Sequence, residues 1–367
     1  MKILVTGSQG FIAKNLILHL QRMENMEVMS LGRNSGLPVW EEVLGHADIV
    51  FHLAGTNRPP DPKHFQQDNH DLTRFIVDRL EKRGRNYKLI FSSSYQAILD
   101  NPYGKSKKDA EDYIRSQVKN GSALIYRLPG VFGKWCRPNY NSVVATYCYN
   151  ATHHIPLEIR DPDHELKLVY VDDVIRSFIQ HIDQPSNHGV TETEVEPVYK
   201  TTLGKLAATI QSFSTNRNTL FIPNVGDPLE KTLYSTWLTY LPTEEFSYNL
   251  ELKTDPRGSL FELLKTKTSG QIFLSTTLPG ITRGNHFHHS KTEKFVVIQG
   301  SARIQFRSSI GENVIEYEVS GIQPKVVDIP PGYTHNITNT GKDTLITLFW
   351  ANEVFDPNNP DTFFEKV

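Results

Sequence analysis

Two textures in one 367-residue chain predict a doubly wound α/β parallel sheet over residues 1–246, followed by an all-β sandwich or barrel over residues 247–367. In the first half, short apolar runs alternate with stretches of helical periodicity. After about Phe246 the helical periodicity stops, and short β-rich runs follow one another between Gly, Pro and Asn turns. The length agrees, since roughly 150 residues make a domain.

Each element has its own warrant. Lys2–Val5 is an apolar strand that runs into a glycine turn. Phe11–Met23 carries apolar residues at helical spacing. Val28–Leu31, Ile49–Leu53 and Leu89–Ser92 are short apolar runs, the type expected of strands buried on both faces. Asp71–Lys82 and Lys105–Lys119 between them read as amphipathic helices. In the second half the strands are Gln271–Thr277, Lys294–Ile298, Ala302–Arg307, Val314–Val319, Val326–Ile329 and Thr344–Trp350. The boundary falls near residues 244–250.

Composition narrows the class. Hydrophobic residues are 38% and charged residues 22%, enough to build cores. Net charge is −2, which gives no support for a nucleic-acid or polybasic membrane partner. Two cysteines, Cys136 and Cys148, allow one bridge at most and no four-cysteine metal site. No secretory leader pattern opens the chain, and no apolar run reaches the roughly 18 residues that a membrane span needs. The expectation is a soluble cytoplasmic protein.

Thr6-Gly7-Ser8-Gln9-Gly10-Phe11-Ile12-Ala13 joins the first strand to the first helix. Gly7 and Gly10 let the backbone approach a pyrophosphate, and the N–H groups at Phe11 and Ile12 face it from the helix start. Where the second strand ends, an acidic residue would favour NAD; here Arg33 stands instead, suited to a 2′-phosphate and hence to NADPH. Tyr103 and Lys107 are four apart on a helix that Asn101-Pro102 starts. That spacing arises about once by chance, so its setting carries the weight. An ammonium beside a phenol lowers the phenol pKa and suits it to proton transfer. Ser94, at a strand end just upstream, can hydrogen-bond a carbonyl.

Gly7/Gly10, His52-Leu53-Ala54-Gly55, Ser94, Tyr103-x-x-x-Lys107 and Arg127-Leu128-Pro129-Gly130-Val131-Phe132-Gly133 together resemble an extended short-chain dehydrogenase/reductase. The resemblance implies a Rossmann-type sheet that holds NADPH at Gly7, Gly10, Phe11, Ile12, Arg33, Leu53, Ala54, Gly55, Tyr103 and Lys107. It also implies catalysis by Ser94, Tyr103 and Lys107 at a sugar carbon. Ala13 and His52 depart from the usual glycine and asparagine. Arg137 and Asn141, in the polar loop after the RLPGVFG strand, could hold a pyrophosphate or a sugar. Asp172 or Asp173 is expected to cap the following helix.

The second half carries Gly280-x5-His286-x-His288-x4-Glu293-x6-Gly300, then Pro330-x-Gly332-x-x-His335-x-x-x-Asn339. Imidazoles two apart on a strand face one side, and with a carboxylate and a third imidazole they suit a divalent metal. These two motifs resemble those of the cupin superfamily, implying a jelly roll with His286, His288, Glu293 and His335 as ligands. Pro324 replaces the leading glycine of the second motif. His289 is an extra imidazole in reach.

Arg283-Gly284-Asn285-His286 and Asp255-Pro256-Arg257-Gly258 with Glu262 resemble the metal-free dTDP-4-keto-6-deoxyglucose 3,5-epimerase group. That resemblance implies substrate contacts at Arg257, Glu262 and Lys294.

Asn101-Pro102-Tyr103-Gly104, Phe132-Gly133-Lys134-Trp135-Cys136, Gly284-Asn285-His286 and Phe355-Asp356-Pro357-Asn358 resemble CapF-type bifunctional enzymes over essentially the whole chain. What this implies is a zinc-bearing epimerase domain, an NADPH-dependent reductase domain, a UDP-linked 4-keto-6-deoxy amino sugar as substrate, and a homodimer. A reductase whose cupin only binds sugar or mediates dimerisation is the alternative.

Overall fold

The computed structural model describes residues 1–184 and 188–367. The chain divides into two compact units. One holds Met1–Gln211 and Thr232–Pro242, the other Ser212–Lys231 and Thr243–Val367. This differs from a single cut at 246/247. Leu220 and Ile222 bond the main chain of Lys265 (2.7 and 2.9 Å), so their segment completes the second unit. Local periodicity carries no sign of such a return.

In the first unit, β1 (Lys2–Thr6), β2 (Glu27–Leu31), β3 (Ile49–His52), β4 (Lys88–Ser94), β5 (Ser122–Leu128) and, further on, β8 (Gly189–Thr193) form one parallel sheet ordered β2-β1-β3-β4-β5-β8. Strand residues alternate between two cores, as a period of two requires. Ile3 and Val5 pack with Leu16 and Leu20 of α1 (Phe11–Leu20) and with Val174 and Phe178 of the helix Val171–Gln180. Leu4 and Val50 pack on the other face with α2 (Leu37–His46), the helix Leu72–Lys82 and the helix Pro102–Gln117. Both faces are covered, which is the doubly wound arrangement. The strand order reverses between β1 and β3, which opens a crevice at their carboxyl ends. Between β5 and β8, β6 (Gly130–Phe132) and β7 (Glu165–Tyr170) join β9 (Tyr199–Thr202) in a small second sheet.

The second unit is two antiparallel sheets. One is ordered β10-β11-β12-β19-β14-β17 and the other β16-β15-β18-β13-β20. In chain order these are β10 (Lys253–Asp255), β11 (Gly258–Lys265), β12 (Gln271–Thr277), β13 (Thr282–Phe287), β14 (Glu293–Gln299), β15 (Ser301–Ser308), β16 (Val314–Ser320), β17 (Val326–Ile329), β18 (Tyr333–Asn339), β19 (Leu345–Ala351) and β20 (Phe363–Phe364). Phe295, Val297 and Phe349 of the first sheet meet Ile304, Phe306 and Ile337 of the second in one core. This is the jelly-roll architecture expected from the resemblance.

The two aspartates at the start of the helix Val171–Gln180 do not cap it. Its cap position is Tyr170, and both carboxylates sit in the first turn, where Asp172 pairs with Lys134 and Asp173 with Arg176. There they still favour the positive end of the helix dipole.

Candidate functional site

The first constellation forms where the chain reverses. Gly7 takes φ +68°, and a Cβ there would stand 2.8 Å from the main chain of Ala54. Only glycine lets the turn after β1 close on the end of β3. Gly10, Phe11 and Ile12 open the first turn of α1 onto a cleft of about 2150 Å³, which Leu53, Gly55, Ser94, Tyr103, Lys107, Arg137 and Asn141 also line. Gly7 and Ala54 stand behind that lining. Arg33 is well exposed, with Nη2 3.4 Å from the Asp68 carboxylate.

Asn101 caps the helix Pro102–Gln117 by accepting the Gly104 amide (2.8 Å), and Pro102 starts it. Tyr103, Lys107 and Glu111 then recur every four residues on one face. Lys107 is buried and donates to the Ser92 carbonyl at 2.9 Å. Burial lowers its pKa to about 8, opposed by Glu111. Ser94 Oγ accepts the Gln96 amide (3.2 Å) and lines the cleft with Tyr103. Burial raises the phenol pKa, the Ser94 hydroxyl lowers it and Tyr140 raises it. The lowering expected from Lys107 is not found. The ammonium is turned to Ser92 and is itself held in a place that disfavours charge.

Three buried residues brace this site, and two of them, Glu111 and Asn69, gave no signal in the sequence. The Glu111 carboxylate accepts from Ser93 Oγ (2.6 Å), Arg127 Nε (2.9 Å) and Arg115 Nη2 (3.0 Å), tying the serine strand end to β5. Asn69 bonds both main-chain groups of Thr56 and reaches Ser106 Oγ. His52 lies between Thr6 Oγ1 and Thr73 Oγ1, 2.9 Å from each. Thr6 Oγ1 already accepts from the Leu53 and Ala54 amides, and Thr73 Oγ1 donates to the Asn69 carbonyl. The hydroxyl protons therefore fix the imidazole with its hydrogen on Nε2. Burial, with a smaller contribution from Lys107, lowers the His52 pKa to about 3, so it is neutral. His52 stood out in the sequence only as a departure from the asparagine usual at that strand end.

The second constellation forms inside the jelly roll. His286, His288, Glu293 and His335 bring one donor atom each within 4.8 Å of one another. Gly284 (φ +95°) and Asn285 (φ +58°) make a bulge in β13 that sets His286 opposite His335. His288 Nε2 is 3.3 Å and His335 Nε2 3.6 Å from the Glu293 carboxylate. His335 Nε2 is buried and makes no hydrogen bond. Burial, then His335 and His288, lower the His286 pKa to about 4. Three imidazoles and an ionised carboxylate, with a buried, unbonded nitrogen among them, fit a divalent metal. His289 faces elsewhere, packed edge-on against Phe287 and Phe363.

The proposed sugar contacts do not join this cluster. Lys294 alternates with Glu293 along β14, so it points the other way, exposed and paired with Asp328. Arg257 pairs with Asp255, and Glu262 with Lys265 and Lys253.

Residues 3–193 match the NAD dependent epimerase/dehydratase family, and residues 253–363 match the polysaccharide biosynthesis C-terminal domain. Over 365 residues the chain is 44% identical to UDP-2-acetamido-2,6-beta-L-arabino-hexul-4-ose reductase of Pseudomonas aeruginosa, covering 99% of this chain and 98% of the relative. The capsular polysaccharide assembling protein CapF of Staphylococcus aureus superposes with TM-score 0.90 at 41% identity, covering both chains completely. UDP-glucuronic acid 4-epimerase of Bacillus cereus, solved with NAD, shares the fold over 58% of this chain and 84% of its own (TM-score 0.51, 19% identity). No helix among the described residues is long and apolar enough to cross a membrane.

Proposed function

Because the chain belongs to the CapF-type family, in which an NAD dependent epimerase/dehydratase domain precedes a polysaccharide biosynthesis C-terminal domain, we propose that it carries out two consecutive steps on a UDP-linked sugar. The second unit epimerises C3 of a UDP-2-acetamido-2,6-dideoxy-4-hexulose. The first then reduces the C4 ketone with NADPH, giving UDP-2-acetamido-2,6-dideoxy-L-talose on the route to UDP-N-acetyl-L-fucosamine for capsule or O-antigen. The proposal includes a homodimer working in the cytoplasm. The observation that carries it is the presence of two separately assembled constellations in a chain related end to end to a UDP-hexulose reductase.

NADPH supplies the hydride to C4 when bound. The residues of this chain do the rest of that step. The Ser94 hydroxyl donates a hydrogen bond to the C4 oxygen, and Tyr103 passes its phenol proton to that oxygen as negative charge develops. Lys107 would hold the nicotinamide ribose, and Arg33 the 2′-phosphate. Glu111 and Asn69 keep the strand ends and the helix in register.

At the second site the ketone acidifies the C3 proton; its removal and return on the opposite face invert C3. A divalent metal, Zn²⁺ in this reading, supplies positive charge that favours the enolate. His286, His288, Glu293 and His335 would hold it. The jelly roll around them excludes bulk water.

The test is solvent exchange. The protein is incubated with a UDP-4-keto-6-deoxy-N-acetylhexosamine in deuterated water without NADPH, and C3 is followed by NMR. Deuterium at C3 is expected. No exchange, with NADPH still consumed in a parallel assay, would leave a plain reductase with a binding or dimerising second unit.

A further inference from the structure

The C-terminal residues beyond β19 run back over the metal-ligand strands. β20 pairs with β13, matching Phe364 to His286 and Phe363 to Phe287. Glu365 donates its amide to the Asn285 carbonyl (2.9 Å) and accepts from Thr334 Oγ1 (2.6 Å), one residue before His335. The strap thus touches the surroundings of three of the four candidate ligands. Its tightest attachment comes first, at Asp361. The Oδ1 atom accepts the His289 amide (2.8 Å); Oδ2 accepts the Ser290 amide (2.8 Å), the Ser290 hydroxyl (2.9 Å) and the Lys291 amide (2.8 Å). The main-chain carbonyl of the same residue accepts from His288 Nδ1.

We infer that Asp361 is a positioning residue for the metal cluster: its carboxylate pins the strap to the 289–291 loop so that its own carbonyl holds the His288 ring with Nε2 turned to Glu293. A carbonyl oxygen can only accept, so Nδ1 carries a proton and Nε2, 3.3 Å from the Glu293 carboxylate, is the atom left to face a metal. Four charge-assisted hydrogen bonds on one carboxylate outweigh the freedom of a chain end. Nothing in local sequence announces this, because the partners are about seventy residues apart. The inference rests on the reading of the cluster as a metal site, and its test separates the two.

The full-length protein is stripped of metal, reloaded with Zn²⁺ and titrated with a chromophoric chelator. Asp361→Ala is expected to weaken Zn²⁺ retention about 10- to 100-fold. Asp361→Asn, which keeps one acceptor for the loop amides, falls between Ala and wild type and carries the test if the Ala variant does not fold. Thr362→Val removes only the neighbouring contact to Lys291 and should hold Zn²⁺ as wild type does. Nitrogen-15 NMR of the Zn²⁺-loaded protein adds a readout that a loosened chain end alone would not move: the His288 Nδ1–H is protected from solvent exchange in wild type and loses that protection in Asp361→Ala. Equal Zn²⁺ affinity and an unchanged protection of the His288 Nδ1–H in the Asp361 variants overturn the inference while leaving the metal site intact. A wild-type protein that takes up no Zn²⁺ overturns the metal reading and this inference with it.

Discussion

The two constellations are built in opposite ways. The one in the parallel sheet lies at the open carboxyl ends of β1, β3 and β4, and its reactive groups come from neighbouring stretches of chain. The one in the jelly roll draws His286 from β13, Glu293 from β14, His335 from β18 and His288 from just past the end of β13, with a strap pairing alongside. An open site leaves room for a large cofactor and a nucleotide-linked substrate. The barrel site buries three of its four donors and leaves His286 half-buried, which lets one ion be held by four side chains. Protonation follows the same division. At the sheet site burial lowers the Lys107 pKa; at the barrel site burial lowers that of His286, and His288 and His335 hold Glu293 ionised.

If the two sites are as separate as they look, single substitutions should split the chemistry. The largest effect expected is on Tyr103→Phe. Reduction, followed as NADPH oxidation, should fall by about 10³-fold, because the phenol proton has no replacement. C3 exchange in deuterated water should stay within about twofold. Loss of both activities would break the separation. Glu293→Gln sharpens it from the other side. It should reduce bound metal from one equivalent to a small fraction by elemental analysis and suppress C3 exchange about 100-fold. NADPH-dependent reduction of an already epimerised ketone should persist. Stoichiometric metal in Glu293→Gln would remove that carboxylate from the ligand set.

The next effect concerns the brace rather than the chemistry. Free His52 protonates below about pH 6.5, while the folded residue resists until about pH 3. The unfolded chain therefore binds more protons across that window. The stability that depends on His52 neutrality is complete above pH 6.5 and is lost as pH falls toward 3. His52→Gln should lack this loss, so the two stability curves should differ in slope by a total of roughly 3–5 kcal/mol between pH 6.5 and 3. Denaturant titrations at each pH measure it, and parallel curves would contradict a neutral buried imidazole. Arg33→Ala is the smallest change. The KM for NADPH should rise about tenfold with that for NADH nearly constant, since one exposed guanidinium–phosphate contact is at stake. Equal shifts for both cofactors would take Arg33 out of that role.

Much of this was legible because the decisive signals are short-range. Gly7 and Gly10 follow an apolar strand, Tyr103 and Lys107 share a helix face, and His286, His288 and Glu293 lie within eight positions. Strand and helix positions followed periodicity, and the ends moved for local reasons. Amphipathic periodicity shows from Lys105, and the helix begins at Pro102, where Asn101-Pro102 had marked its start, because Asn101 caps it and proline fits the first turn. What the sequence hid is long-range. Glu111 meets Arg127 and Ser93 only after the sheet has formed, and a glutamate on an amphipathic helix reads as solvated. Lys294 looked available beside the metal motif, yet the two-residue period of β14 turns it outward. Asp361 sits in a polar, proline-containing tail whose partners lie across the barrel.

The chain passes between the two units three times, after Gln211, Lys231 and Pro242, and this has a consequence for anyone who wants one half alone. A fragment beginning at residue 247 would lack the segment whose Leu220 and Ile222 pair with Lys265. The rim of β11 would be left with bare amide and carbonyl groups, the kind of raw edge along which molecules stick together. A half cut at that border is expected to be less stable and less soluble than one that keeps the segment, which expression of the two fragments side by side would measure. Point substitutions in the intact protein, or a fusion that carries 212–231 along, are the tools that respect how this polypeptide is woven.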